Sequence, residues 1–217
     1  MKTQLVIFDW DGTLMDSATK IVNCFNHAAR DVGLDLPPES AVRNIIGLSL
    51  CEACETLFPD TLVSMRTALT RRYRDYFVEL DDTPMHLFPG VEAGLRELHR
   101  RGKTLAVATG KARRGLSRGL KETGLADLFA VTRCADEARS KPHPQMVRDI
   151  LAQTTVSPND TLMVGDTVYD IQMARGAGVK SLAVSYGVHA RGQLLEESPI
   201  SCLDSFEDVI AWICGTT

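Results

Sequence analysis

Four apolar residues, Leu5 to Phe8, open the chain and stop abruptly on Asp9, Trp10 and Asp11. A short apolar run bounded by polar residues predicts a buried strand. Over the next ~70 residues the apolar spacing becomes helical. Ile21, Phe25, Ala28, Ala29 and Val32 form one stripe that stops at Gly33, and further helical stretches are predicted from about Pro38 to Leu57 and from Leu62 to Leu80. From Pro89 onward helix and strand alternate. The helix "GVEAGLRELHRRG" stops at Gly102, the strand "TLAVATG" follows, then a helix to Glu122, the strand "LFAVTRCADE" and the helix "HPQMVRDILAQT". "TLMVGD", "VYDIQMARGAG" and "SLAVSYG" repeat strand, helix, strand. That rhythm predicts an α/β chain with a Rossmann-like, doubly wound parallel sheet covered by helices on both sides.

The helical stretch is then an all-helical insert at residues 16–88, within a core made of residues 1–15 and 89–217. Hinges are expected near Met15 to Ala18 and in "DDTPMHLFPG", where Pro84, Pro89 and Gly90 interrupt both periods.

Composition narrows the function classes. A chain of 217 residues with a formal charge of −4 carries no basic footprint for nucleic acid or an anionic membrane. No apolar run is long enough to span a bilayer, and the N-terminal run is too short for a signal peptide, so a cytoplasmic protein is expected. The six cysteines are scattered, so reduced thiols are expected. A monomer or small homo-oligomer is expected.

Chemistry concentrates where strands end. In a pleated path residues i and i+2 share a side, so Asp9 and Asp11 go to one face and Trp10 to the other. Two like charges held together cost energy unless a cation or a shared proton lies between them, which points to a metal or to acid/base chemistry. Two further apolar strands also stop on polar residues, at Thr109 and Asp166. The carboxyl ends of strands in an open parallel sheet line one crevice, so these distant residues converge. Asp9, Asp11 and Asp166 would make the hard oxygen cage that magnesium takes, with Asp170 on the same helical face as Asp166.

"DWDGTL", Thr109 after "LAVA", Lys141 in "SKPHP" and "VGDTVYD" resemble, in this order, the four motifs of the haloacid dehalogenase-like hydrolase superfamily. The insert resembles that superfamily's small helical cap, and the layout is similar to its phosphoglycolate-phosphatase-like branch. The resemblance implies a magnesium-dependent phosphatase acting on a small phosphomonoester, with a phosphoglycolate-like substrate as first guess. It implies that Asp9 attacks phosphorus and that Asp11 protonates the leaving oxygen and then activates water. Magnesium would be held by Asp9, the backbone carbonyl of Asp11 and Asp166, with Asp170 in support. Thr109 and Lys141 would hold the phosphoryl oxygens, with Gly12, Thr13 and Gly110 around the phosphate. Dehalogenases of the superfamily lack the second aspartate of the first motif, so Asp11 argues for phosphoryl transfer.

Within the insert, Arg43 could reach a substrate carboxylate or phosphate, and Gly47 would let the backbone come close. A surface salt bridge is the competing reading of Arg43. A sugar-phosphate mutase and a pyrophosphatase of the same superfamily remain open as activities. A phospho-accepting signalling receiver is disfavoured, because receivers have no helical insert after their first strand.

Other motifs carry less. Counted as an EF-hand from Asp9, the sixth position is Leu14 and the twelfth Lys20, where glycine and glutamate are needed. "CEAC" at Cys51 to Cys54 has no second ligand pair and reads as structural. Lys111, Arg113, Arg114, Arg118 and Lys121 read as one solvated helix face. The histidines at 27, 86, 99, 143 and 189 show no ligand spacing and read as surface or cap residues.

Overall fold

Leu5–Phe8 forms strand β1 with all four side chains fully buried. After it the computed structural model, which describes residues 3–215, shows a two-residue strand, β2 (Met15–Asp16), and then helices. These are α1 (Ala18–Asp31), α2 (Glu39–Ile45), α3 (Leu50–Leu57) and α4 (Val63–Asp75), which runs on as a π-helical turn at Tyr76–Leu80. The strand β3 (His86–Leu87) pairs antiparallel with β2, Met15 opposite Leu87 and Asp16 opposite His86. The two stretches expected as hinges are therefore stitched to each other.

The single helix expected from about Pro38 to Leu57 is two helices. Gly47 has φ +103°, outside the helical region, and the Ser49 hydroxyl then accepts the Glu52 N–H and starts α3 afresh. The four helices enclose an apolar cluster of their own. Ile21, Val22, Phe25, Ala28 and Ala29 of α1 pack with Val42, Ile45, Ala53, Cys54 and Leu69, and the Phe25 and Tyr73 rings lie 4.5 Å apart. Each buried aliphatic or aromatic side chain in such a cluster contributes about 1.5–3 kcal/mol, enough to give the helices a packing interior separate from the sheet.

Helix and strand then alternate as α5 (Val91–Arg100), β4 (Thr104–Thr109), α6 (Arg113–Thr123), β5 (Phe129–Cys134), α7 (Gln145–Thr154), β6 (Thr161–Gly165), α8 (Val168–Gly176) and β7 (Lys180–Val184). The chain closes with α9 (Arg191–Glu196), β8 (Ser201–Leu203) and α10 (Phe206–Cys214). The six long-range strands pair in parallel in the order β5-β4-β1-β6-β7-β8. Phe8, the last residue of β1, lies opposite Val107 on one side and Val164 on the other, so β1, β4 and β6 end within two residues of one another.

The pleat sorts the side chains into two cores. Val6, Phe8, Leu105, Val107, Leu162 and Val164 face α5, α6 and α10, whereas Leu5, Ile7, Ala106, Ala108 and Met163 face α7 and α8. No helix among the described residues is long and apolar enough to cross a membrane.

Candidate active site

At the shared end of β1, β4 and β6 the chain leaves Asp9, Thr109 and Asp166, all at most 1% exposed. The Asp9 N–H bonds to the carbonyl of Val164, which fixes Asp9 against β6. Asp170 is delivered by the first turn of α8, where its Oδ2 accepts the Thr167 hydroxyl at 2.7 Å and the Thr167 N–H at 3.1 Å. Its other oxygen is left for Lys141, whose Nζ lies 2.7 Å from Asp170 Oδ1 and 2.7 Å from Asp9 Oδ1.

Three buried carboxylates, from Asp9, Asp166 and Asp170, thus converge, with ligand oxygens all within 4.8 Å of one another. The one cation paired with them among the described residues is Lys141. Asp9 Oδ2 is fully buried and has no hydrogen-bond partner. Burial, outweighing the pull of Lys141, holds the Asp9 carboxyl well above the usual carboxylate range; burial followed by repulsion from Asp170 pushes Asp166 up to about 7. The Lys141 ammonium is held firmly protonated by Asp170 and Asp9 in spite of its burial.

Three carboxylates against one ammonium leave a deficit of two positive charges, and an all-oxygen donor set with a free buried oxygen suits a hard divalent cation. The surroundings are built to the same tolerance. A Cβ on Gly12, which has φ +86°, would lie 2.1 Å from Asp166 Oδ2, and one on Gly187 would lie 2.2 Å from Asp166 Cβ. Asp166 itself accepts the Thr13 hydroxyl at 2.7 Å and the Val188 N–H at 2.9 Å.

The charge deficit has a measurable consequence. With Asp166 raised from its unfolded 3.8 to about 7, the stability it lends the metal-free fold is present below its unfolded value and lost as pH rises through about 7. A divalent cation replaces the protons, so it is expected to raise Tm more at about pH 8 than at about pH 5. Paired thermal melts with chelator and with excess metal check this; equal metal stabilisation at both pH values would contradict it.

Asp11 turns elsewhere. Its carboxylate accepts the Ser17 hydroxyl at 2.7 Å and lies 3.0 Å, through both oxygens, from Lys111 Nζ. The two aspartates of the first motif therefore each have their own lysine, Lys141 for Asp9 and Lys111 for Asp11. Trp10 between them is buried in the sheet's core, against Gly119 of α6.

The remaining expected residues are placed as follows. Thr109 Oγ1 accepts the Lys111 N–H, and the Thr13 hydroxyl is spent on Asp166. Gly110 lies under the loop between α2 and α3: a Cβ there would be 2.4 Å from the Gly47 carbonyl oxygen and 2.5 Å from that of Leu48. Gly47 also approaches the Thr167 side chain. Arg43 is not brought to the carboxylates; its Nε donates to Glu39 one turn earlier at the surface.

The expected cage of Asp9, Asp11 and Asp166 needs correction, because the Asp11 carboxylate turns to Ser17 and Lys111, and Asp170 stands in its place; so do two further readings. Lys111 is not part of a solvated helix face: it precedes α6, its side chain is 11% exposed, and it reaches back to Asp11. His189 is no surface residue. It is 3% exposed, its Nδ1 accepts the Val168 N–H, and its Nε2 donates to the carbonyl of Asn44 in α2. The cysteines are free thiols, Cys51 exposed and Cys54 buried with its sulfur near the Thr70 hydroxyl.

Comparison with known proteins agrees with this geometry. The family model described as haloacid dehalogenase-like hydrolase matches residues 6–184. A relative from Dickeya dadantii, "Probable phosphatase IndB", is 38% identical over 210 residues, covering 95% of this chain and 91% of that one. A "Pyrophosphatase PpaX" from Bacillus mycoides is 30% identical over 211 residues, covering 97% and 96%. Among solved structures, a "predicted phosphoglycolate phosphatase" from Haemophilus somnus superposes with a TM-score of 0.86 at 26% identity, covering 97% of each chain. Four ordered motifs meeting at one end of a parallel sheet, and a match that runs from β1 to the end of β7, lead to one conclusion: the chain belongs to the haloacid dehalogenase-like hydrolase family, on its phosphoglycolate-phosphatase-like branch.

Proposed function

We propose that this protein is a magnesium-dependent phosphatase that hydrolyses a small phosphomonoester in two steps through an aspartyl phosphate on Asp9. The observation that supports this most is the cluster of three buried carboxylates around one lysine, in which Oδ2 of Asp9 has no hydrogen-bond partner. Asp9, the backbone carbonyl of Asp11, Asp166 and Asp170 would hold Mg2+. When bound, it supplies the positive charge that lets a carboxylate approach a phosphate dianion. Without cations that approach is opposed by ~1 kcal/mol per charge pair at 4 Å in water and by several times more in a dry cleft.

The chain's own residues then divide the work. Asp9 Oδ2 attacks phosphorus and the ester oxygen departs with a proton from Asp11, which Ser17 and Lys111 hold in place. Asp11 next takes a proton from water as that water attacks the phosphorus, releasing inorganic phosphate and restoring Asp9. Lys141 and Thr109 face the transferring oxygens, where fixed donors stabilise developing charge.

The helical insert, taken as residues 16–88 against a core of 1–15 and 89–217, serves as a cap. Its α2–α3 loop lies on Gly110, so it limits substrate size and keeps bulk water from the phosphorylated aspartate. A phosphate-release screen with magnesium tests this reading on several dozen small esters, an aryl phosphate, pyrophosphate and a folded phosphoprotein. Pyrophosphate is included because three Bacillus relatives are named pyrophosphatases. A small ester is expected to give the highest kcat/KM; efficient release from the phosphoprotein, or none from any compound, would overturn it.

A further inference from the structure

Lys111 leaves β4 just after Gly110 and projects into the seam between the sheet and the helical insert. Its ammonium lies 3.0 Å from both Asp11 oxygens and 4.3 Å from the centroid of the Phe77 ring, which belongs to the π-helical turn. An ammonium has three N–H donors, and the one side chain among the described residues that accepts hydrogen bonds from this one is Asp11. A ring face attracts a cation only modestly, and an anion in the same place makes a stronger, charge-assisted bond.

The neighbouring cation is already committed. Lys20 Nζ, 5.6 Å from the same ring, lies 2.5 Å from the Asp81 carbonyl oxygen and 3.8 Å from its carboxylate. Arg43, the residue of the insert that the sequence offered for an anionic substrate group, is paired with Glu39. Lys111 keeps one N–H beyond its bonds to the two Asp11 oxygens, and what sets it apart from Lys20 and Arg43 is its partner: it alone of the three is paired with the group that serves the leaving oxygen.

We propose that Lys111 is the specificity-determining residue of this site, reading an anionic group carried on the leaving-group side of the phosphate. The inference rests on Asp11 being the group that meets the leaving oxygen. A carboxylate or second phosphoryl group one or two bonds beyond that oxygen comes within reach of the same ammonium, whereas a neutral substituent gains nothing from it. The Phe77 ring keeps the ammonium at the seam.

Two matched pairs of substrates test this: 2-phosphoglycolate against 2-hydroxyethyl phosphate, and pyrophosphate against methyl phosphate, with an aryl phosphate as reference. They are to be measured on the wild type, Lys111→Met and Lys111→Arg. The wild type is expected to favour the anionic member of at least one pair by about tenfold or more in kcat/KM, and which pair does so tells carboxylate from phosphoryl. Lys111→Met should abolish that preference, chiefly through KM, while Lys111→Arg should keep it to within about threefold. A purely structural role would lower both members of a pair equally and leave the ratio unchanged, and that result would overturn the proposal. So would a wild type that turns over the aryl phosphate but favours neither anionic member. Release of phosphate from none of the five compounds would instead overturn the phosphatase reading itself.

Discussion

An Asp9→Asn protein is expected to release no measurable phosphate from any ester that the wild type hydrolyses. The amide keeps the shape of the side chain and removes the nucleophilic oxygen, so the fold should survive while the first step is lost. Asp11→Asn is expected to behave differently. Asp9 can still be phosphorylated there, but both proton transfers lose their carboxyl group, each slowing by ~10²-fold or more. Steady-state rates together with single-turnover kinetics check the pair. Equal residual rates in the two variants would mean that the two aspartates do not divide the chemistry in this way.

The second large effect is expected at Lys141. It is 1% exposed and ion-paired at 2.7 Å with both Asp9 and Asp170, so removing its charge leaves buried carboxylates without their cation. Lys141→Met keeps the length of the side chain and is expected to destabilise the metal-free protein by about 3–5 kcal/mol at about pH 8. Part of that loss should be recovered near pH 5, where the carboxyls hold protons instead. Activity with metal should fall by ~10²-fold or more in kcat, because a fixed cation beside the transferring oxygens is gone. Denaturant titration with chelator and steady-state assays with metal measure the two effects. A Lys141→Met protein as stable as the wild type would show that the ammonium does not balance these carboxylates.

Much of this was legible in the sequence because it depends on where apolar runs stop. Phe8, Ala108 and Gly165 each precede a polar residue, and a parallel sheet brings such strand ends together whatever lies between them. What stayed hidden depends on the reach of single side chains. Nothing in the local spacing around Lys111, in a row of basic residues, says that it turns back toward an aspartate 100 positions earlier. The close approach of Gly12 and Gly187 to Asp166 likewise exists only once three distant segments have packed. The break between α2 and α3 had a local signal in Gly47 and Ser49, but the apolar pattern ran through it. Arg43 shows the limit from the other side: its chemistry suited an anion, and a glutamate one turn away on its own helix took it.

The central claim is that a phosphoryl group passes through Asp9. The most direct measurement is to mix Asp11→Asn protein and magnesium with the best small ester from the screen, quench in acid, and map the digested peptides by mass spectrometry. The peptide containing Asp9 is expected to carry the added mass of one phosphoryl group, at a level that rises and then decays as substrate is exhausted, with no such addition in Asp9→Asn. Turnover with no phosphoryl group on that peptide at any time, or with the group on another residue, would contradict the account.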